Sequence, residues 1–269
     1  MPEAYEAALK KLSASKKYAG VCPATLARVL RESFDRHKKP KDAEKAARER
    51  LHGITGAFMS PEESRRAASA LDAWTPGDDA ALAEALDQHA STRERLPLAA
   101  TDALYEHIFA VTGRPQRVLD LACGLNPVYL AARGFTVAGV DIQRPAIECI
   151  NRMGERHGLP TRAYCADLLV PESLPAGLVE ERFDLALAFK LLPLLETQRT
   201  GAAVETLSAF NADWIAVSFP TRTLGGRNVG MAAHYGEWME AHVPEDRVIA
   251  GRFEMDNELV YILRGAVAL

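Results

Sequence analysis

The stretch that most constrains the fold of this chain is residues 117–127, which read Arg-Val-Leu-Asp-Leu-Ala-Cys-Gly-Leu-Asn-Pro. Val118 to Leu121 form a short apolar run that is typical of a buried parallel strand. Two small residues, Ala122 and Gly124, follow it, and there the backbone can turn sharply and let a ligand come close. This arrangement is typical of the cofactor loop after the first strand of an open α/β sheet.

Acidic residues follow the next two predicted strands. Phe135 to Val140 reads as a second buried strand and is followed by Asp141, seventeen residues after Gly124. An acid at this place can accept hydrogen bonds from both ribose hydroxyls of an adenosine. A third short strand ends at Asp167, near where the adenine would lie.

The glycine pattern differs from that of dinucleotide-binding proteins. The G-x-G-x-x-G fingerprint is absent, and the turn from Cys123 to Pro127 contains one glycine. Such a turn alone is also typical of an ordinary connection between a strand and a helix. Together with the two strand-end acids, it favours S-adenosylmethionine over a nicotinamide dinucleotide as the cofactor.

After residue 117 the predicted strands and helices alternate, which indicates a parallel sheet with right-handed crossovers. The further elements are strands at Phe183–Phe189 and Trp214–Ser218, helices at Leu194–Phe210 and Met231–Ala241, and a hairpin of Arg247–Glu254 with Glu258–Leu263. We therefore predict an α/β fold with a Rossmann-like class I methyltransferase sheet, in which five parallel strands are followed by a C-terminal antiparallel hairpin.

The N-terminal third has helical periodicity. Helices are predicted at Ala4–Leu12, Pro23–Phe34, Lys41–Leu51, Pro61–Ala73 and Asp79–His89. Prolines occupy first-turn positions, and Ser60 with Glu63 forms a capping box. A linking helix follows at Ala99–Val111. We predict a helical domain over 1–97 and a methyltransferase domain over 98–269.

Charge is distributed unevenly along the chain. Residues 1–60 contain thirteen Lys and Arg against seven Asp and Glu, whereas the whole chain has a net charge of −4. A basic segment on an acidic body indicates a polyanionic partner, since phosphate contacts dominate the affinity for nucleic acids. The alternative is a set of solvated helix faces. Some of these residues, such as Lys16 and Lys17, lie beside turns and fit that alternative less well.

Composition and cysteine usage indicate a globular protein that works in the cytoplasm. The chain is 48% hydrophobic and 25% charged, and no apolar run approaches the roughly 20 residues of a membrane helix. The N-terminus lacks the pattern of a signal peptide. The four cysteines include no CxxC pair, so we expect reduced thiols, no metal and no membrane partner.

Five blocks of sequence occur in one order along nearly the whole chain. They are His52-Gly53, His89-Ala90-Ser91-Thr92-x-Glu94-Arg95, Asp120-x-Ala122-Cys123-Gly124-Leu125-Asn126-Pro127, the segment 189–196 and the segment 218–226. In these blocks the chain resembles the 16S ribosomal RNA guanine-N7 methyltransferases that confer aminoglycoside resistance. The resemblance implies S-adenosylmethionine as methyl donor and a guanine in the decoding-site helix of the 30S subunit, and not DNA, as substrate.

The chemistry of guanine N7 requires little of the enzyme. N7 carries an in-plane lone pair and no proton at neutral pH, so we expect no general base and no catalytic acid or base residue. Alignment of the nucleophile with the methyl group can then supply the catalysis. Because N7 faces the narrow major groove of A-form RNA, we expect the target base to be flipped out of its stack.

The strand-end rule assigns most of the predicted cofactor site. The residues are Ala122, Cys123, Gly124, Asp141, Ile142, Asp167 and Leu168. Asp141 would bind the ribose and Asp167 the adenine amino group. Arg93 or Arg95 would pair with the methionine carboxylate, although a surface helix turn paired with Glu94 is an equal alternative.

Further roles are implied by the resemblance. Phe58 and Gln198 would line the cofactor pocket. Lys190 and Arg222 would orient phosphates or base edges of the target nucleotide, and Lys190 is also predicted to bind the cofactor. Met231 would pack on the guanine. For Met231 the alternative is the first core residue of its helix, and for Lys190 it is a solvated loop lysine.

The predicted surface for docking on ribosomal RNA comprises Lys16, Lys17, Arg48 and Arg50. Other classes of function remain open from the residues alone: a small-molecule methyltransferase, or a non-catalytic ribosome-binding protein that keeps the cofactor fold. An adenosine-N1 methylase of the same ribosomal site is disfavoured by the set of motifs.

Overall fold

A computed structural model describes residues 2–55, 58–221, 230–255 and 257–266. The helices are α1 Pro2–Ser13, α2 Pro23–Arg36, α3 Pro40–Thr55, α4 Pro61–Ala73, α5 Asp79–Leu86, α6 Ala90–Arg93, α7 Leu98–Thr112, α8 Asn126–Ala132, α9 Arg144–His157, α10 Leu192–Gln198, α11 Ala202–Ala209 and α12 Met231–Ala241. The strands are β1 Arg117–Leu121, β2 Thr136–Asp141, β3 Thr161–Cys165, β4 Phe183–Phe189, β5 Ala212–Pro220, β6 Arg247–Met255 and β7 Glu258–Gly265. None of the helices in these ranges is both long enough and apolar enough to cross a membrane.

The seven strands form one sheet in the order β3-β2-β1-β4-β5-β7-β6. Strands β1 to β5 pair in parallel, and β7 pairs antiparallel with both β5 and β6. The predicted fold class is confirmed. Because the strand order reverses between β1 and β4, the carboxyl ends of these strands open a crevice at that edge, where ligands bind in this kind of sheet.

One predicted helix is wrong. The segment Leu194–Phe210 forms two helices, α10 and α11, which are separated at Gly201. Gly201 has a φ of 82°, and the Glu196 carboxylate accepts a hydrogen bond from its N–H at 2.8 Å. The apolar periodicity continues through both helices and so concealed the break, although a glycine at this place is a known breaker signal.

The hydrophobic clusters divide the chain differently from the predicted boundary at residue 97. Helices α1 to α3 enclose a cluster of their own, which includes Leu12, Leu30 and Leu51. In contrast, α4 and α5 contribute Trp74 and Leu82 to a cluster that contains residues of the sheet. The packing therefore groups α4 and α5 with the sheet and separates them from α1 to α3. The domain boundary between 1–97 and 98–269 stays a prediction.

Residues just before α2 attach the N-terminal helices to the end of β2. The Cys22 N–H donates to the Ile142 carbonyl at 2.7 Å, and the Arg144 N–H donates to the Gly20 carbonyl at 2.8 Å. Val21 and Gln143 form an isolated antiparallel bridge between these contacts. The start of α2 is therefore held beside the carboxyl edge of the sheet.

A buried ion pair ties the C-terminal hairpin to the segment before α7. Arg95 donates to both carboxylate oxygens of Glu258 at 2.7 and 3.1 Å, and its guanidinium lies 4.5 Å from the centre of the Phe189 ring. Burial alone would raise the pKa of Glu258, but the charges of Arg95 and then Lys190 lower this pKa to about 2. Each partner thus depends on the other to be buried as an ion.

We expect Arg95→Ala to lower the free energy of unfolding by about 3–5 kcal/mol, because it leaves the Glu258 carboxylate buried without its partner. The matched control is Arg182→Ala, which removes an exposed pair with Asp213 and should cost less than about 1 kcal/mol. Urea unfolding of both variants measures the difference. Equal losses would show that the buried pair has no special part in the fold.

Candidate functional site

A cleft of about 860 Å³, including its open mouth, lies at the carboxyl ends of β1 to β4. Its polar lining includes the strand-end acids Asp141 and Asp167, and its apolar lining includes Ile142, Leu168 and Leu195. Helix α10 and the loop after β4 form one wall, and residues of the N-terminal helices form another. The size and mixed lining are those of a site for a small organic ligand.

The turn after β1 closes one end of the cleft. Ala122 and Gly124 both have positive φ values, 54° and 52°. The Gly124 N–H donates to Asp141 Oδ2 at 2.8 Å. Cys123, which we predicted in the cofactor site, is buried away from the cleft, and its Sγ would lie 2.9 Å from a Cβ placed on Gly139. The backbone of the turn, rather than the thiol, therefore faces the ligand space.

Asp141 is held in one orientation by two backbone donors. Its Oδ2 accepts from Gly124, and its Oδ1 accepts from the Gln143 N–H at 2.8 Å. Burial raises the pKa of Asp141, and the hydrogen bonds from the backbone oppose this shift. Each carboxylate oxygen keeps a further lone pair, so the group can accept two hydroxyl donors.

A buried polar trio supports the turn from below. Asn126 donates to Asp120 Oδ2 at 2.6 Å and is also hydrogen-bonded to the Tyr105 hydroxyl. Burial raises the pKa of Asp120, the hydrogen bond from Asn126 and the charge of Arg95 oppose this shift, and the net pKa is about 7. The trio connects the start of α8 to β1 and α7 beneath the ligand space.

The short helix α6 covers the glycine turn, and its N-cap His89 is a residue of the site to which sequence reasoning assigned no role. His89 is 2% exposed, lines the cleft and stacks on Phe58 with ring centres 6.0 Å apart. Its Nδ1 lies 3.3 Å from the Ser91 N–H and 2.8 Å from the Ser91 hydroxyl, and in the tautomer in which Nδ1 accepts from both, Nε2 carries the proton. Within the described part of the chain, Nε2 is buried and has no hydrogen-bond partner. Its position at the start of the sequence block 89–95 was the signal that could have identified it.

The structure does not bring Arg93 or Arg95 to the cleft. The Arg93 guanidinium is 44% exposed and pairs with Glu63 at 2.7 Å and with Asp87. Arg95 uses its Nε and one Nη on the buried Glu258. Both guanidinium groups have protein carboxylates as partners. Their pairing with the methionine carboxylate stays a prediction.

Lys190 lies where β4 ends and lines the cleft. Its φ is 52°, a left-handed value that few residues other than glycine adopt. Its Nζ lies 2.7 Å from Glu94 Oε2 and 3.6 Å from Glu258 Oε1, and its side chain is largely buried. It is therefore not the solvated loop lysine of the alternative interpretation.

The remaining predicted residues lie in different surroundings. Met231 is the first residue of α12, is partly buried and does not line the cleft. Arg222 lies outside the described residues. Lys16 and Lys17 are exposed, whereas Arg50 is partly buried and pairs with Glu32.

Arg28 is a second cleft residue that sequence reasoning missed. It belongs to α2, lines the cleft and pairs with Asp167 at 3.0 Å. It also donates to Gln198, which we predicted in the cofactor pocket, at 2.8 Å. In the sequence Arg28 is one of many arginines on a basic helix, so no local signal separates it from the others.

Comparison with known proteins identifies the family. The FmrO ribosomal RNA methyltransferase family matches residues 14–262. The chain belongs to this family. It is 44% identical to a 16S rRNA (guanine(1405)-N(7))-methyltransferase of Serratia marcescens, over 96% of this chain and 97% of the relative. A methyltransferase of the same description from Micromonospora echinospora is 36% identical, with 94% of each chain covered.

Solved structures agree with this assignment. The methyltransferase is similar to the 16S rRNA methyltransferase RmtF, crystallised with S-adenosyl-L-homocysteine, with a TM-score of 0.88 and 45% identity over 99% of this chain and 100% of the other. It is also similar to the 16S rRNA methylase RmtB, with a TM-score of 0.84 and 40% identity over 97% and 98%. The resemblance inferred from the five sequence blocks is confirmed.

We expect Gly124→Ala to weaken ligand binding in this cleft. A Cβ at Gly124 would lie 2.5 Å from His89 Cε1 and 2.9 Å from Ser91 Oγ, so α6 would have to move off the turn. The control Gly134→Ala also has a positive φ, 84°, but its Cβ would meet no atom within 4 Å. Calorimetric titration with S-adenosyl-L-homocysteine should show at least a roughly tenfold loss of affinity for Gly124→Ala, or about 1.4 kcal/mol, and little change for the control. Equal affinities of the two variants would contradict this account of the turn.

We expect His89 to make the stability of the fold depend on pH. Burial, and then the charge of Arg93, lower the pKa of His89 to about 4. Between pH 6.5 and 4 the unfolded state binds a proton that the folded state does not, so the free energy of unfolding falls as the pH decreases, by on the order of 3 kcal/mol.

Urea unfolding between pH 7.5 and 4.5 tests this dependence. The His89→Gln variant should lose less stability on acidification than the parent protein. The control His107→Gln changes an exposed histidine and should follow the parent. Parallel curves for His89→Gln and the parent would show that this imidazole does not remain neutral at low pH.

Proposed function

We infer that this chain transfers a methyl group from S-adenosylmethionine to N7 of a guanine in 16S ribosomal RNA. The observation that carries this inference is 44% identity, over nearly the full length of both chains, to an enzyme of that description. In the relatives the target guanine is at position 1405. The cleft at the carboxyl ends of β1 to β4 lies where the fold binds such a cofactor.

The residues of the cleft fit S-adenosylmethionine. Asp141 offers lone pairs for two ribose hydroxyls, and Asp167 offers an acceptor for the adenine amino group. Ile142 and Leu168 supply apolar contacts beside them. At the other end, by Gly124, the Nε2 proton of His89 is available for an acceptor on the amino-acid part of the cofactor.

The cofactor supplies an electrophilic methyl group on a sulfonium sulfur, and the residues of the chain supply position. N7 needs no proton removed, so the protein has only to hold the base in line with the methyl group. Lys190 is fixed at the mouth of the cleft by Glu94 and Glu258, in a left-handed conformation of the kind that clusters at functional sites. We propose that Lys190 orients the target nucleotide, that Met231 packs on the flipped base, and that Arg222 contacts the adjoining phosphates.

The proposed substrate is the assembled 30S subunit rather than free RNA. Residues 1–97 would dock on the subunit through phosphate contacts, and residues 98–269 would carry out the methylation. The exposed Lys16 and Lys17 are suited to this role. Arg48 is partly buried, and Arg50 shares its charge with Glu32, so we expect these two to contribute less. Since ribosomes are its substrate, the enzyme would work in the cytoplasm.

The proposed biological effect is aminoglycoside resistance. A methyl group on N7 gives the purine a positive charge and adds bulk at the edge of the base. Aminoglycosides are polycations, so a decoding site with this modification would repel them and obstruct their contacts. The proposed resistance requires that the methylated guanine lie in the decoding site.

Transfer of a tritiated methyl group from S-adenosylmethionine to purified 30S subunits tests the function, with naked 16S RNA and an aminoglycoside as parallel substrates. We expect label on the subunit, at N7 of one decoding-site guanine. Asp141→Ala should lose both cofactor affinity and methylation. The double variant Lys16→Glu with Lys17→Glu should keep cofactor affinity and lose at least about tenfold in methylation, with a weaker dependence on salt.

The control for these variants is Arg182→Glu, which reverses one charge at the amino end of β4, away from the cleft. It should leave both measurements unchanged. Label on the aminoglycoside instead of the RNA would replace the inferred function with small-molecule methylation. Tight cofactor binding without label on any substrate would favour the non-catalytic class.

A further inference from the structure

We propose that Arg28, on helix α2, is a positioning residue for the adenine end of the cofactor site. The N-terminal helices would then take part in recognising the cofactor, in addition to any docking on RNA. The inference rests on the adenine assignment of Asp167 in the proposed function. It concerns how the Asp167 carboxylate is held in place. The role of Arg28 can therefore be wrong even if Asp167 binds the adenine.

The Arg28 guanidinium binds three side chains at once. Its Nε donates to Asp167 Oδ2 at 3.0 Å, one Nη donates to Gln198 Oε1 at 2.8 Å, and the other donates to Glu32 Oε1 at 3.2 Å. Its side chain is 11% exposed. A planar guanidinium that makes this many bonds has one orientation available, unlike the ammonium group of a lysine.

Asp167 requires a cationic partner at this place. Its side chain is 4% exposed, and a buried carboxylate without a partner is strongly disfavoured. Its Oδ1 accepts from the Leu169 N–H at 2.9 Å, and its Oδ2 accepts from Arg28. Both oxygens keep a free lone pair. Arg28 therefore stabilises the charged acceptor and fixes its direction without using all of its capacity.

Gln198 is oriented by the same group. Its Oε1 accepts from Arg28, and its Nε2 donates to the Leu194 carbonyl at 3.0 Å. Arg28 thus joins two parts of the cleft, the end of β3 and helix α10, that are far apart in sequence. Both residues that it orients were predicted in the cofactor pocket.

Arg28 is itself held from two sides. The start of α2 is fixed to the segment after β2 through Cys22 and Val21. Glu32, one helical turn after Arg28, accepts from both Arg28 and Arg50. Burial raises the pKa of Glu32, but its hydrogen bond to Arg50 and the charges of both arginines lower it overall, so this acid is an anion beside Arg28. The ion-pair network reaches from α3 through α2 to the cleft.

The test compares two ligands that differ at the adenine edge. S-adenosyl-L-homocysteine carries an amino group that donates to an acceptor such as Asp167, whereas S-inosyl-L-homocysteine carries a carbonyl oxygen there. Calorimetric titration of the full chain gives the preference for the first over the second. In the parent protein we expect this preference to be at least about tenfold, the effect of one hydrogen bond to a charged group.

Arg28→Leu should lower the affinity for S-adenosyl-L-homocysteine about tenfold and reduce the preference to within about threefold, because Asp167 is no longer held. Arg36→Leu, an exposed change in the last turn of the same helix, should alter neither. Arg28→Lys keeps the charge but lacks the rigid planar fork of the guanidinium group, so it should hold Asp167 less well and lower the preference partly. This variant carries the test if circular dichroism shows that Arg28→Leu is unfolded.

Two results would overturn the proposal. If Arg28 variants lose affinity equally for both ligands, Arg28 only joins the helices to the sheet. If their affinity for S-adenosyl-L-homocysteine rises, Arg28 competes with the cofactor. Asp167→Asn tests the underlying assignment separately: an unchanged preference in that variant would show that Asp167 does not face the adenine, whatever Arg28 does.

Discussion

The site depends on one backbone contact, the hydrogen bond from the Gly124 N–H to Asp141. It joins the turn after β1 to the end of β2 and fixes the acid that faces the proposed ribose position. The contact requires a left-handed backbone at Gly124, and α6 packs so closely on this residue that there is no space for a Cβ. The same glycine therefore sets the shape of the turn and the position of His89 above it.

A consequence of this packing is that the N-terminal helices and the sheet build the cleft together. Helix α6 covers the turn after β1, and α2 starts beside the end of β2 and brings Arg28 to the end of β3. Parallel strands present all their carboxyl ends at one edge, so residues from separate loops converge there. In this chain the N-terminal helices and the cleft are therefore in direct contact.

Buried charges at this edge are paired across long stretches of chain. Arg95 and Glu258 are 163 residues apart, and Arg28 and Asp167 are 139 apart. Burying an ion is strongly unfavourable unless a partner with good geometry compensates it. These pairs constrain which arrangements of the helices and the hairpin are possible, because each buried charge must meet its partner.

The sequence by itself determined the sheet and the edge that carries the site. Alternating strands and helices specify a parallel sheet, and an acid that follows a buried strand, such as Asp141 or Asp167, must lie at its carboxyl end. The family could also be recognised from five short blocks. Only the tertiary structure decided the partners of Arg28, Arg93 and Arg95, the break at Gly201 and the burial of His89. These features depend on contacts between residues that are distant in sequence, and a local pattern of residue types contains no information about which charges meet when the elements pack.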